Sequence, residues 1–383
     1  MSKKIATLTF TDTPNYGALL QAYALQRYIN DCGNQCVVIN YQNKARRFSQ
    51  VSGLKKLRSI LWHYTFSKLL ANRSRTKRTQ RFRESLLNLT SRVYRDNESL
   101  KELNETMDGF IVGSDQVWNP KNNAGDPAYL LDFAGEGKLR VSYAASFGTD
   151  KVDEAYLKAN AQRFKAFSRL SVRERSGKEQ LEQALGIKAE VVADPVFLLS
   201  GEHWQELARE HAEYKAQAEY VLCYVLPGNR EVEKRIYSAA RDIAQRRHLR
   251  LVTIGKKPGS KGEAGEELIH DCGPLEFLSY IINANAVVTN SFHGTALSII
   301  NEKDFWCVMA SGAAGARNTR LTNLLEKTGL SGRQLICGEA RDPEDLLSRI
   351  DYSASAPLIE GMVHEAKSFL DAALDCPSGR SEA

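Results

Sequence analysis

Four short stretches of this 383-residue chain carry side chains able to act on a polar, anionic substrate. Thr289-Asn290-Ser291-Phe292-His293-Gly294-Thr295 sets a histidine between an apolar strand pattern and the start of a helix. Helix amides at such a point attract an anion. An imidazole beside a bound phosphate or carboxylate can take up a proton and deliver it as a general acid; a structural cap reads the same residues equally well. Ser171-Val172-Arg173-Glu174-Arg175-Ser176 ends a strand in two arginines. One suits a bidentate grip on phosphate or carboxylate, while a solvated Glu174–Arg175 pair accounts for the other. Gly113-Ser114-Asp115-Gln116-Val117-Trp118 offers a carboxylate, an amide and an indole. That set fits sugar hydroxyls and a sugar's stacking face, although a capping Asp115 and a packed Trp118 explain the spacing more plainly. Asn15-Tyr16-Gly17 puts a glycine, open to close approach, just before a helix. Ser114 is not a nucleophile elbow, because Gly-x-Ser-x-Gly is absent.

The elements that would position these loops alternate. Ile5–Phe10 reads as a strand, Ala18–Ile29 as a helix and Cys36–Tyr41 as a second strand at βαβ spacing. Gly109–Val112, Val141–Ala145, Leu170–Arg173 and Val191–Pro195 follow as strands, with a helix over 154–167. Beyond Pro195 the theme repeats: strands at 220–226, 249–254 and 286–289, helices from Val232, over 275–282 and over 294–300, and a Lys/Gly-rich loop at 255–265. The expected fold class is α/β: two Rossmann-like domains facing a cleft, 1–195 and 196–383, with a basic helical insertion at about 44–100 in the first. Sites in such folds lie beyond the carboxyl ends of the strands, where all four stretches fall.

Composition bounds the alternatives. The chain is 43% apolar and 26% charged with mean hydropathy −0.39, which excludes a mostly disordered, collagen-like or coiled-coil chain. No run approaches the roughly 20 apolar residues of a membrane span. The N-terminus runs straight into a strand pattern without a signal-peptide core, which places the protein in the cytoplasm. Seven cysteines, an odd number with no Cys-x-x-Cys pair and no histidines at zinc spacing, predict thiols and no metal site. The net charge of +6 is unevenly spread. Residues 32–83 hold thirteen Lys and Arg and no Asp or Glu, so the remainder is mildly acidic. Such a block implies an anionic neighbour: a phosphate-rich substrate, a membrane surface or nucleic acid. Leu54, Leu57, Leu61 and Tyr64 follow helical spacing, as either an amphipathic basic helix for a membrane surface or an insertion packed on its own domain. No recognisable nucleic-acid recognition motif accompanies the charge.

Taken in order, six stretches resemble the polysaccharide pyruvyl transferases along nearly the whole chain. They are Asn15-Tyr16-Gly17-Ala18, Gly113 to Trp118, Ser171-Val172-Arg173-Glu174, Ala193-Asp194-Pro195, Thr289 to Gly294, and Asn318-Thr319-Arg320-Leu321. The resemblance implies a fold like GT-B glycosyltransferases. It also implies transfer of pyruvate from phosphoenolpyruvate onto two hydroxyls of a glycan sugar, forming a ketal and releasing phosphate, in surface polysaccharide biosynthesis. It associates Arg173 and His293 with donor binding and catalysis, with Ser291 beside them and Arg320, then Arg317, as the later basic contact. Asn15, Tyr16, Asp115 and Gln116 fall on the acceptor side. One departure stands out: well-studied members carry Arg-Leu-His where this chain has Ser291-Phe292-His293. Arg317, Arg320, Lys256 and Lys257 are the candidates to supply the missing cation.

On this reading His293 protonates the donor's methylene carbon while Arg173 and Arg320 hold its anionic groups. No cofactor, nucleotide or metal is expected, because phosphoenolpyruvate is already activated. A glycan or lipid-linked oligosaccharide is the expected acceptor, met at the inner membrane face with the basic block as a peripheral contact. Two other classes fit the same outline: a GT-B glycosyltransferase using a nucleotide-sugar, and a non-catalytic binding module of glycan assembly.

Overall fold

Apolar runs that are hydrophobic on consecutive residues, rather than on alternate ones, become parallel strands buried on both faces. The computed structural model describes every residue except 1, 44–65, 214–218, 256–264, 313–314, 316–317 and 377–383, and for 66–72 it describes the backbone alone. It contains two parallel six-stranded sheets clothed by helices, two Rossmann-like domains. By contacts the chain divides into two units. The first takes 1–53, 83–198 and 360–383; the second takes 199–359 with the described part of 54–82.

In the first unit the strands are β1 (Lys4–Leu8), β2 (Gln35–Val38), β3 (Gly109–Val112), β4 (Leu139–Ala145), β5 (Arg169–Val172) and β6 (Glu190–Val191), in spatial order β2-β1-β3-β4-β5-β6. The order reverses between β1 and β3, so the loops leaving those two strands diverge and open a crevice. Helix α1 (Tyr16–Asp31) starts where Asn15, in extended backbone, caps the amides of Gly17 and Ala18 at 3.1 and 3.4 Å. It ends at Cys32, before Gly33 at φ 78. The core beneath is rich in rings: Phe10, Tyr129, Trp118, Phe147 and Phe164 are all buried. Each large apolar side chain there contributes roughly 1.5–3 kcal/mol by leaving water.

The second unit repeats the plan with β7 (Tyr220–Tyr224), β8 (Arg250–Ile254), β9 (Glu266–Ile269), β10 (Ala286–Thr289), β11 (Phe305–Met309) and β12 (Gln334–Ile336). Their order is β12-β11-β10-β7-β8-β9, reversing between β10 and β7.

Two features of the expected domain plan differ in the structure. Helix α2 (Phe66–Leu86) is the described part of the basic insertion, and its residues up to Phe82 group with the second unit, not the first. The reason is charge: Arg78 pairs with Asp271 at 2.8 Å, with Glu213 at 3.2 Å and with Glu276 at 3.8 Å, and Arg81 also reaches Glu213. Over 87–98 the insertion is not helical. Its backbone runs beside β2, with Val38 N donating to Asn88 O at 2.7 Å and Tyr94 N to Asn40 O at 2.9 Å. The amphipathic pattern Leu54 to Tyr64 lies outside the described residues. The second difference is at the C-terminus, where residues from 360 return to the first unit: Phe369 packs on Tyr143, and Tyr28 donates to Asp371 at 3.0 Å. The helix expected over 154–167 is two short helices, Glu154–Ala159 and Ala161–Lys165, broken at Asn160. Among the described residues no helix is long and apolar enough to cross a membrane.

Candidate functional site

Each sheet brings its sequence motifs to its own switch point. In the first unit, the loops after β1 and β3 are tied together by Thr9, whose hydroxyl donates to Ser114 O at 2.8 Å and accepts from Gln21 Nε2 at 2.9 Å. Beside them, Asp194 gathers three bonds: Ser114 Oγ at 2.6 Å, Arg173 Nη1 at 2.7 Å and its own turn's Val196 N at 3.2 Å. Arg173 and Asp194 are both almost wholly buried, with side-chain exposures of 2% and 0%. Nη1 of the fork is held by Asp194 and, at 3.3 Å, by Ser114 Oγ.

Asp115 sits in the left-handed region at φ 79, a costly conformation for a non-glycine residue and one often found at functional sites. Its carboxylate accepts from Gln116 N at 2.8 Å, and its carbonyl accepts from Ser146 N at 3.0 Å across to the bulged end of β4. Gln116 Oε1 accepts from Asn122 at 2.7 Å. Trp118 is fully buried: its indole donates to Tyr129 O at 3.0 Å and packs against Phe147 and Phe164, so it is core and offers no stacking face. Asn15 is occupied as the helix cap, and Tyr16 is buried behind it.

In the second unit, Asn290 stitches the switch point. Its Oδ1 accepts from Leu226 N at 2.8 Å and its Nδ2 donates to Leu226 O at 2.9 Å, joining the loops after β10 and β7. Asn290→Ala removes two bonds at once. The expected cost is about 1–3 kcal/mol, read as a lower urea midpoint, because the loop carrying His293 loses its tether. Ser291 caps helix α6 (Phe292–Ile300) by accepting from Gly294 N at 3.2 Å. The fit at Gly294 is close: a Cβ there would meet Thr289 Oγ1 at 3.1 Å and Ser291 Cβ at 3.2 Å. His293 thus lies in the helix's first turn, 6% exposed, its ring edge-on to Phe292.

Tyr224, at the end of β7, is buried beside the same cap. Burial pushes its phenol up, and the charge of Arg75 and a hydrogen bond with Ser291 act the other way. Arg320 opens helix α7 (Thr319–Lys327) after β11, half-buried. Arg317, Lys256 and Lys257 lie outside the described residues.

The structure therefore brings His293 and Ser291 together in one unit, and Arg173, Asp115 and Gln116 to one sheet end in the other. Three participants escaped the reading of the sequence: Asp194, Asn290 and Glu174. Glu174 is not solvated but 1% exposed, and its Oε1 accepts from Ser146 Oγ, Phe147 N and Gly148 N at 2.9, 3.0 and 3.4 Å. The signal for Asp194 was present, an acid fixed before a proline at a strand end; for Asn290 and Glu174 only tertiary contact reveals the role.

The family model for polysaccharide pyruvyl transferase matches residues 15–311, well over half of the chain. No curated protein matches the sequence. Among solved structures, UDP-GlcNAc 2-epimerase of Methanocaldococcus jannaschii, in complex with UDP-GlcNAc and UDP, aligns with a TM-score of 0.50 at 15% identity, covering 95% of this chain and 93% of that one. The Neisseria meningitidis UDP-GlcNAc 2-epimerase, bound to UDP-GlcNAc, aligns with a TM-score of 0.50 at 9% identity, over 97% and 99%. At such identities the likeness is one of fold.

Proposed function

The chain belongs to the polysaccharide pyruvyl transferase family and is a transferase of glycan pyruvylation; from that premise we propose that it moves pyruvate from phosphoenolpyruvate onto two hydroxyls of one sugar, closing a ketal. The observation that carries the proposal is His293, a buried imidazole in the first turn of a capped helix at its sheet's switch point. Amides at a helix start draw the donor's phosphate or carboxylate to the ring that must deliver the proton.

His293 gives a proton to the methylene carbon of phosphoenolpyruvate, making a methyl group and an oxocarbenium-like centre at the middle carbon. One acceptor hydroxyl attacks and loses its proton, which reprotonates the imidazole. The carbon–oxygen bond to phosphate breaks, a second hydroxyl adds, and its proton leaves with the phosphate. Fixed cations that meet charge as it develops carry much of the rate. Arg320, in the same unit as His293, serves the donor, and within the first unit Arg173 meets a substrate anion.

Arg75 lies in the same unit as the Ser291 cap, near enough for its charge to act on the buried Tyr224 phenol beside it, and we infer that it supplies the cation missing from the Ser-Phe-His loop. Arg75→Gln is expected to raise KM for phosphoenolpyruvate about tenfold with a smaller change in kcat, since a hydrogen bond to a charged group contributes about 1.5–3 kcal/mol. An unchanged KM removes the assignment.

Asp115 and Gln116 supply hydroxyl-binding groups on the acceptor side, and Asn15 and Tyr16 shape the loop beside them. The acceptor is a surface-glycan repeat, free or carried on a lipid diphosphate. Arg73 and Lys77, exposed one turn apart on α2, support peripheral contact with an anionic membrane face. Thermal-shift screening tests the donor directly: phosphoenolpyruvate should raise the melting temperature, and stabilisation by nucleotide-sugars alone would overturn the reading.

A further inference from the structure

The end of α1 and the last turn of helix α8 (Ala356–Leu374) bring three side chains suited to a soft divalent cation together within the first unit. The sulfurs of Cys32 and Cys376 and a carboxylate oxygen of Asp371 all lie within 4.8 Å of one another. Cys32 Sγ stands 3.5 Å from Asp371 Oδ1. In a tetrahedral zinc site, bond lengths of about 2.3 Å to sulfur and about 2.0 Å to oxygen put those two ligand atoms about 3.5 Å apart. The pair is already at that edge length.

The groups around the cluster are those that orient metal ligands. Tyr28 donates to Asp371 Oδ1 at 3.0 Å. Asn34 Nδ2 donates to Cys376 Sγ at 3.6 Å, and its orientation is fixed because its Oδ1 accepts from Lys3 N at 2.9 Å. The backbone is held as well: Cys376 N donates to Asp371 O at 2.9 Å, and Lys3 Nζ to Leu374 O at 2.6 Å and Asp375 Oδ2 at 2.7 Å. Two thiols and one carboxylate form a mixed sulfur–oxygen set, which favours a zinc-class ion over magnesium or calcium.

We propose that Cys32, Asp371 and Cys376 bind one zinc-class divalent cation, with water as the fourth ligand, and that the ion pins the C-terminal turn to the end of α1. Binding releases the two thiol protons. The ligands come from opposite ends of the chain, which is why cysteine spacing in the sequence gives no hint of a site.

The test titrates the full-length protein, purified under reducing conditions and stripped with chelator, with cadmium as a spectroscopic substitute for zinc. The expected result is a sulfur-to-cadmium charge-transfer band saturating at one equivalent, a higher melting temperature with zinc, and loss of the band in Cys32→Ser and in Cys376→Ser. Tyr28→Phe, which keeps all three ligands, should weaken zinc binding about 10–100-fold. The proposal is overturned if no saturable band forms, if the band survives both serine variants, or if thiol counting and intact mass show that Cys32 and Cys376 have closed to a disulfide instead.

Discussion

His293→Ala is expected to cut turnover by about 10²–10⁴-fold, the range that a positioned general acid supplies, while the protein stays folded. The cap of its helix is Ser291, whose hydroxyl accepts from Gly294 N. Removing the ring therefore leaves that cap in place and deletes the proposed proton donor. His293→Gln sharpens the comparison, because the amide keeps polar atoms and approximate volume but has no proton to transfer. Both variants should lose activity to a similar degree, with urea midpoints close to wild type. Near-normal phosphate release by His293→Ala would remove the histidine from the chemistry.

The second large effect concerns stability. Asp194→Ala removes the carboxylate that a buried guanidinium and the Ser114 hydroxyl share. Breaking a buried pair from one side costs about 3–5 kcal/mol, because the remaining charge stays in a poorly solvating place. A lowered urea midpoint should report it. Asp194→Asn keeps the shape and the acceptor oxygen and should lose less. The combined replacement Arg173→Met with Asp194→Leu separates structure from function: replacing both members of a buried pair by apolar groups is often close to neutral for folding, yet it deletes the cation proposed to meet a substrate anion. A stable but inactive double variant is expected. A double variant that retains full activity would leave Arg173 a purely structural residue.

Much of this arrangement was legible in the residues, for physical reasons that differ by element. Gly109–Val112 and Ala286–Thr289 were read to the residue, because short apolar runs bounded by polar residues have few other uses. Phe305–Met309 is just as apolar and fully buried, but it follows a helix closely with no strong turn signal, and it was not singled out. The loops at strand ends were found because glycine, asparagine and histidine cluster there. Which groups they contact was not legible: that Trp118 is core and Glu174 a buried acceptor depends on neighbours distant in sequence. The same holds for α2. Its charge predicted an anionic partner, and part of that partner is the acidic trio Glu213, Asp271 and Glu276 of the second unit, which no local pattern could indicate.

The central claim is that the donor's methylene carbon is protonated within the enzyme before phosphate departs. Running the reaction in deuterium oxide with phosphoenolpyruvate and a panel of acceptor glycans, and weighing the product by mass spectrometry, tests it most directly. The account predicts one phosphate released per ketal formed and one deuterium in each new methyl group. A product whose methyl carbon carries no solvent deuterium, or one that retains the phosphate, would contradict it.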